Sequence, residues 1–162
     1  MNGAPWWRGT RGEWYVVVQV GLFLLVGFGP RELPGVSSWG PPLSVFTLFI
    51  GLVLGGAGGL LALAGLLCLG ANLTPLPHPK DDATLVETGA YALVRHPIYG
   101  GLSLAAFGWA LVVASPLTLL YALLLFIFFD LKSGREERQL LRKFERYAEY
   151  QKRVRKLIPF VY

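Results

Sequence analysis

The chain has 162 residues, of which 54% are hydrophobic and 15% charged, whereas a soluble domain carries about 25% charged residues. That length fits a single domain, and that balance excludes a disordered chain and an ordinary soluble enzyme. The formal net charge of +5 resides in the tail, where ten Lys or Arg and five Asp or Glu follow from Asp130 onward; directly behind an apolar segment, this points to anionic lipid headgroups or topology control, not to nucleic acid.

Three intervals contain no Asp, Glu, Lys or Arg: Trp14 to Pro30, Leu33 to Pro79 and His96 to Phe129. All approach or exceed the roughly 20 residues that span a bilayer, which predicts one all-α, multi-pass membrane domain over 1–162. The first span is expected over 14–29, closed by Gly29-Pro30. Arg8 and Arg11 precede it as in a signal peptide, but no small-x-small cleavage site follows. Pro41-Pro42 then opens a longer helix over 43–70, about 42 Å at 1.5 Å per residue, which must tilt or project. Gly51, Gly55 and Gly59 recur every fourth residue and predict a close helix–helix contact. Gly56 and Gly58 lack the spacing of a nucleotide loop. Cys68, the one cysteine, reads as a small core residue. The first two spans are read as lacking any polar residue that would recognise a headgroup.

The segment 71–97 runs from Asn72 through Pro75, Pro77, His78 and Pro79, a stiff extended connection, to Arg95-His96-Pro97. Pro97 suits the first position of the next helix, whose N-terminus offers unpaired donors and partial positive charge beside Arg95 and His96. Together they predict a carboxylate or phosphate clamp. Ser115-Pro116 divides the third interval into helices over 98–114 and 117–131, a short hairpin. The tail 132–162 is expected to hold a separate amphipathic helix from Arg135 to Val154, with Leu140, Leu141, Phe144, Tyr147 and Val154 at helical spacing. Glu136 shares the face of Leu140 and Phe144, whereas Glu137, about 100° away, reads as solvated or salt-bridged at the surface. With four spans, fourteen of the fifteen basic residues fall on one side and Arg31 alone on the other. Both termini and the segments 71–97 and 132–162 are therefore expected to be cytoplasmic.

Two blocks carry a resemblance. Leu85-Val86, Thr88-Gly89-x-Tyr91 and Val94-Arg95-His96-Pro97-x-Tyr99-x-Gly101 are followed, after the Pro-broken hairpin, by Glu136-Glu137-x-x-Leu140-x-x-x-Phe144, Tyr147-x-x-Tyr150-x-x-Arg153-Val154 and Ile158-Pro159. The chain from Asn72 onward resembles the integral membrane methyltransferases related to isoprenylcysteine carboxyl methyltransferase and phospholipid methyltransferases. The resemblance implies S-adenosylmethionine as methyl donor, bound on the cytoplasmic side by Leu85, Val86, Tyr91, His96, Pro97, Ile98, Tyr99 and Glu136. It also implies a catalytic set of Glu136, Arg95 and Lys132, the last standing where prenylcysteine enzymes have an arginine that touches the substrate. Ala83 stands where the family often has His, and Glu145 where Gly follows the Phe.

The chemistry suits these groups independently. His96 or Arg95 can hold the donor's carboxylate and Glu136 its ammonium, and Tyr91 or Tyr99 can face its sulfonium for roughly 0.5–2 kcal/mol. In-line methyl transfer depends mainly on positioning, and two isolated His residues do not suggest a metal. The acceptor stays open between a prenylcysteine-like carboxylate, a lipid amine and another lipophile. A non-catalytic membrane scaffold and a nicotinamide-dependent membrane reductase remain as alternatives.

Overall fold

The computed structural model describes residues 13–74 and 82–162. Arg8, Arg11 and Lys80, whose charges entered the expected topology, lie outside the described residues, as does the Pro75–Pro79 connection with His78. The described chain is helical: α1 Glu13–Phe28, α2 Leu43–Leu69, a short α3 Ala90–Leu93, α4 Pro97–Val112, α5 Pro116–Lys143 and α6 Tyr147–Arg153. Two helical stretches, Leu43–Asn72 and Pro116–Lys143, are long and apolar enough to cross a membrane. The 16-residue helices α1 and α4 are apolar but shorter, about 24 Å each.

The four longer helices alternate in direction. The α1–α2 connection lies beside the α4–α5 turn, where Ser115 Oγ donates to the Arg31 carbonyl at 2.7 Å and Tyr121 Oη to the Pro30 carbonyl at 3.2 Å. At the other end, the start of α1, the end of α2, the start of α4 and the charged part of α5 come together. Ser115 also caps α5 by accepting from the Thr118 amide at 3.2 Å, with Pro116 at the first helical position, a site where its missing N–H does no harm. Helix α1 packs on α5 through rings, Tyr15 on Phe128 at 5.8 Å and Phe23 on Phe129 at 6.1 Å between centroids. Ala106, Ala122, Leu125 and Phe129 form the buried centre between α4 and α5.

Helices α2 and α4 pack almost backbone to backbone. A Cβ on Gly51 would lie 2.6 Å from the Gly108 carbonyl oxygen, and one on Gly58 would lie 2.5 Å from that of Gly101. The contact stripe of α2 runs through Gly51, Gly58, Ala62 and Gly65, with the Gly55 backbone against Gly108, and not through Gly59, where an added Cβ would meet nothing within 4 Å. The expected four-residue repeat fails at Gly59 for a geometric reason. At about 100° per residue, each step of four drifts about 40°, so a step of three must return the stripe to the partner.

Three further expectations are corrected. The helix expected to end at 131 continues unbroken to Lys143, about 42 Å at 1.5 Å per residue, so the pair α4–α5 joins one short and one long helix. The run after Asp130 is rich in Arg, Glu, Gln, Leu and Lys, good helix formers that extend a helix beyond its apolar part. The break falls instead at Phe144, which is extended (φ −122°, ψ 111°), and the separate amphipathic helix is reduced to the seven residues of α6. Cys68 is exposed, not a core residue: it lies on the side of α2 facing Gly89, whose added Cβ would meet its Sγ at 2.6 Å. Gly89 also holds φ +62°, a left-handed conformation that glycine adopts without steric cost.

Candidate functional site

At the charged end of the bundle, a cavity of about 290 Å³ opens between α1, α2, α4 and α5 and the segment 82–86, close to the lower end of the ~300–1,000 Å³ usual for small-molecule sites. Its walls are mostly apolar, with Leu66, Leu69, Leu85, Val86, Ile98, Leu102, Leu140 and Phe144 among them. The segment carrying Leu85 and Val86 is pinned by reciprocal bonds between Asn72 and Thr84: the Thr84 amide donates to Asn72 Oδ1 at 3.0 Å, and Asn72 Nδ2 donates to Thr84 Oγ1 at 3.2 Å.

Polar groups enter from three helices. Tyr99, on the first turn of α4, donates its hydroxyl to Glu136 Oε2 at 3.0 Å. Its ring lies in a near-parallel column, 5.6 Å from His96 on one side and 4.8 Å from Phe129 on the other. Lys132 is 1% exposed, holds its Nζ 5.1 Å from the centroid of the Tyr99 ring, and donates to Gln19 Oε1 at 2.6 Å. Lys132 and Glu136 are one turn apart on α5, so opposite charges line the same wall. The cavity can therefore take a ligand with both an anionic and a cationic end beside an apolar body. Among the described residues, no group of three or more His, Cys, Asp or Glu side chains is placed to hold a metal ion.

Behind this wall lies a second polar cluster. Glu137 is buried at 7% exposure and accepts from Arg95 Nε at 2.7 Å, His96 Nε2 at 3.2 Å, Tyr147 Oη at 3.4 Å and Gln151 Nε2 at 2.9 Å. Arg95 also donates to the carbonyls of Gln151 and Val154. The backbone continues the junction, with the Arg95 and His96 amides bonded to the Arg155 and Lys156 carbonyls at 2.8 and 3.0 Å. Tyr150 Oη donates to the Tyr91 carbonyl at 2.5 Å. Lys156 ties the tail back to α5 through Asp130 Oδ1 at 2.5 Å. Burial raises the phenols of Tyr91, Tyr147 and Tyr150 above the usual range, and the carboxylates of Glu136 beside Tyr91 and Glu137 beside Tyr147 raise the first two further.

Of the expected donor-binding residues, Leu85, Val86, Tyr91, His96, Ile98, Tyr99 and Glu136 line the cavity. Pro97 does not. It starts α4 and is packed behind the wall, 2.8 Å from where a Cβ of Gly65 would stand. Lys132 lines the cavity as well. Arg95 reaches the wall, but its guanidinium is engaged by Glu137 and two tail carbonyls, so the expected clamp of Arg95 and His96 already holds a carboxylate of the chain itself. The expectation that Glu137 is a surface group is overturned for the same reason: α6 and the strand-like residues after it cover the side of α5 that the helical phase alone assigns to solvent. The sequence reading missed Gln19, although a lone amide between Val18 and Val20 was the available signal. It also missed Tyr147, Tyr150 and Gln151, whose partners come from distant parts of the chain.

The chain matches the family described as phospholipid methyltransferase over residues 46–147. Among curated proteins, it is similar to a probable protein-S-isoprenylcysteine O-methyltransferase of Oryza sativa subsp. indica, 32% identical over 120 residues that cover 72% of this chain and 63% of the relative. It is similar also to the protein-S-isoprenylcysteine O-methyltransferase of Homo sapiens, 34% identical over 115 residues that cover 68% of this chain and 40% of the relative. Among solved structures, it is similar to a eukaryotic intramembrane Ras methyltransferase, isoprenylcysteine carboxyl methyltransferase, with a TM-score of 0.64 and 27% identity, covering 99% of this chain and 55% of that one. The chain thus spans less than two thirds of the length of each of these relatives.

Proposed function

The chain belongs to the phospholipid methyltransferase family, and on that premise we propose that it transfers a methyl group from S-adenosylmethionine to the carboxylate of a lipophilic, prenylcysteine-like acceptor within a membrane. The observation that carries this reading is the pairing of Lys132 and Glu136 in one apolar-walled cavity, bridged by the ring and hydroxyl of Tyr99. These residues fit the donor: Glu136 matches its ammonium, the Tyr91 and Tyr99 rings match a cationic centre, and Leu85, Val86 and Ile98 match its apolar surface. When bound, the donor supplies an electrophilic methyl group on a sulfonium.

The chain's own part is binding and orientation. Glu136, held by Tyr99, fixes the cationic end of the donor. Lys132 attracts the acceptor carboxylate, which arrives ionised, so no residue has to remove a proton. An amine acceptor would need a base and would meet the Lys132 ammonium as a like charge. Arg95, His96 and Glu137 are positioning residues that hold the start of α4, and with it Tyr99, against the tail. The names of the curated relatives, protein-S-isoprenylcysteine O-methyltransferases, agree with a carboxylate acceptor.

The membrane placement follows from exposure and charge. Val53, Leu60 and Leu67 of α2 are each at least 70% exposed, which suits contact with lipid chains. In a four-span bundle formed by α1, α2, α4 and α5, the end holding the cavity carries the basic tail, and the opposite end carries Arg31. That asymmetry orients the cavity toward the cytoplasm. The test is transfer of a radiolabelled methyl group by the purified full chain, in detergent, to a peptide ending in S-farnesylcysteine and, separately, to phosphatidylethanolamine. Labelled ester that is released as methanol by base supports the reading. Label on the lipid amine alone shifts the acceptor class, and absence of S-adenosylmethionine binding returns the chain to the scaffold or reductase readings.

A further inference from the structure

A second hollow lies on the side of α4 and α5 turned away from the cavity. It is a groove of about 240 Å³ lined by Gly100, Ser103, Leu104, Phe107, Leu123 and Phe126, with Ile158 contributed by the tail. On α4, Ile98, Tyr99 and Leu102 line the cavity, and at about 100° per residue Gly100, Leu104 and Phe107 fall on the other side of the helix. Gly100 and Ser103 supply little side-chain volume, which leaves the hollow, and the rings of Phe107 and Phe126, 6.4 Å apart, bound it further along the helices. Ser103 donates its hydroxyl to the Tyr99 carbonyl at 2.8 Å, so it asks for no polar partner in the groove. In a four-span bundle the groove lies at hydrocarbon depth, and what complements it there is an alkyl chain.

The tail brings charge to the cytoplasmic end of the same groove. Asp130 follows Phe126 by one turn on the same face of α5. Its Oδ1 accepts from Lys156 Nζ at 2.5 Å and from Tyr162 Oη at 3.0 Å, and its carbonyl accepts from Lys156 at 3.0 Å. Two residues beyond Lys156, the chain enters the groove lining at Ile158. One carboxylate thus stands against Lys156, while Lys152 and Arg155 of the same stretch are exposed, which leaves the membrane surface beside the groove positive on balance. We propose that this groove binds an anionic phospholipid, with one acyl chain between α4 and α5 and the phosphate at Lys156. The lipid clamps the tail to the bundle where the Lys156 carbonyl receives the His96 amide at 3.0 Å, and so stabilises the fold. The proposal rests on the membrane placement of the bundle and is independent of methyl transfer.

The experiment follows the melting temperature of the purified full chain in uncharged detergent, by tryptophan fluorescence, as dioleoylphosphatidylglycerol, dioleoylphosphatidylcholine or glycerol 3-phosphate is added. Phosphatidylglycerol should raise it saturably, by about 5–10 °C at a hundredfold excess over its dissociation constant. Phosphatidylcholine, which lacks the net charge, and glycerol 3-phosphate, which lacks the chains, should each raise it by about 2 °C or less. Leu123→Trp, which fills the groove, and Lys156→Gln, which keeps a donor for Asp130 but removes the charge, should lose most of the response, each measured against its own lipid-free melting point. Lys152→Gln removes an equal charge away from the groove and should respond as the native chain does. If Leu123→Trp does not fold, Lys156→Gln against Lys152→Gln decides the matter. The proposal is overturned if phosphatidylcholine or glycerol 3-phosphate matches phosphatidylglycerol, or if Lys156→Gln keeps the native response. It is overturned equally if Lys152→Gln loses as much as Lys156→Gln, which marks a diffuse attraction of the tail to anionic lipid.

Discussion

Replacing Glu137 by Gln is the sharpest test of the cluster behind the cavity. The substitution keeps shape and removes one charge from a site where Glu137 accepts four hydrogen bonds, two of them from Arg95 and His96. The Arg95 side chain is only 10% exposed, so it cannot recover its solvation when its partner is neutralised. Breaking a buried pair by removing one partner costs about 3–5 kcal/mol. The Gln oxygen still accepts one or two of the bonds, which places the expected loss near the lower end, about 3 kcal/mol. For a chain of this length, each kcal/mol moves the melting temperature by about 2–4 °C, so Glu137→Gln should melt about 6–12 °C lower. Intrinsic tryptophan fluorescence of the purified protein in detergent measures the shift. Glu136→Gln is the internal control: it lies one position away, faces the cavity and makes one bond to Tyr99, so its melting point should stay within about 2 °C of native while S-adenosylmethionine affinity falls about tenfold or more. A native melting point for Glu137→Gln, or a larger loss for Glu136→Gln, would refute the division between a structural and a ligand-facing carboxylate.

Two further outcomes follow from the packing and from the buried phenols. Gly58→Ala should lower the melting temperature by several degrees, because its Cβ would stand 2.5 Å from the Gly101 carbonyl oxygen and overpacking costs about 1–3 kcal/mol; Gly59→Ala, with nothing within 4 Å, should be neutral or slightly stabilising, and equal effects at the two positions would contradict the contact stripe. Tyr91, Tyr147 and Tyr150 have phenols raised above their ordinary value of 10.0, so their burial favours the folded state fully below pH 10 and progressively less as the unfolded phenols ionise above it. Melting temperatures measured from pH 8 to 11 should therefore fall above about pH 10, and the fall should shrink in Tyr147→Phe; a flat profile would refute the burial of these groups.

The apolar segments were legible from sequence because a helix buried in an apolar surrounding excludes charge along its whole length. Trp14, Leu43 and Pro97 therefore mark helix starts to within a residue or two. The facing of Glu136 was legible as well, because it shares a helical phase with Leu140 and Phe144, and all three line the cavity. Glu137 shows where that reasoning stops. Helical phase says which side of α5 a residue faces, but not what covers that side, and the covering residues Arg95, Tyr147 and Gln151 lie between 10 and 42 positions away. The extent of α5 was equally hidden, since a helix outlasts its apolar stretch whenever the following residues favour helix and find tertiary partners. Gln19 was visible as an amide in an apolar run, but its meaning depended on Lys132, 113 positions distant. Local patterns determined the segments and their faces because periodicity is a property of neighbours along the chain. The tertiary structure alone decided which charges are buried in pairs within the protein and which line the cavity, because that depends on which distant groups the fold brings within hydrogen-bonding distance.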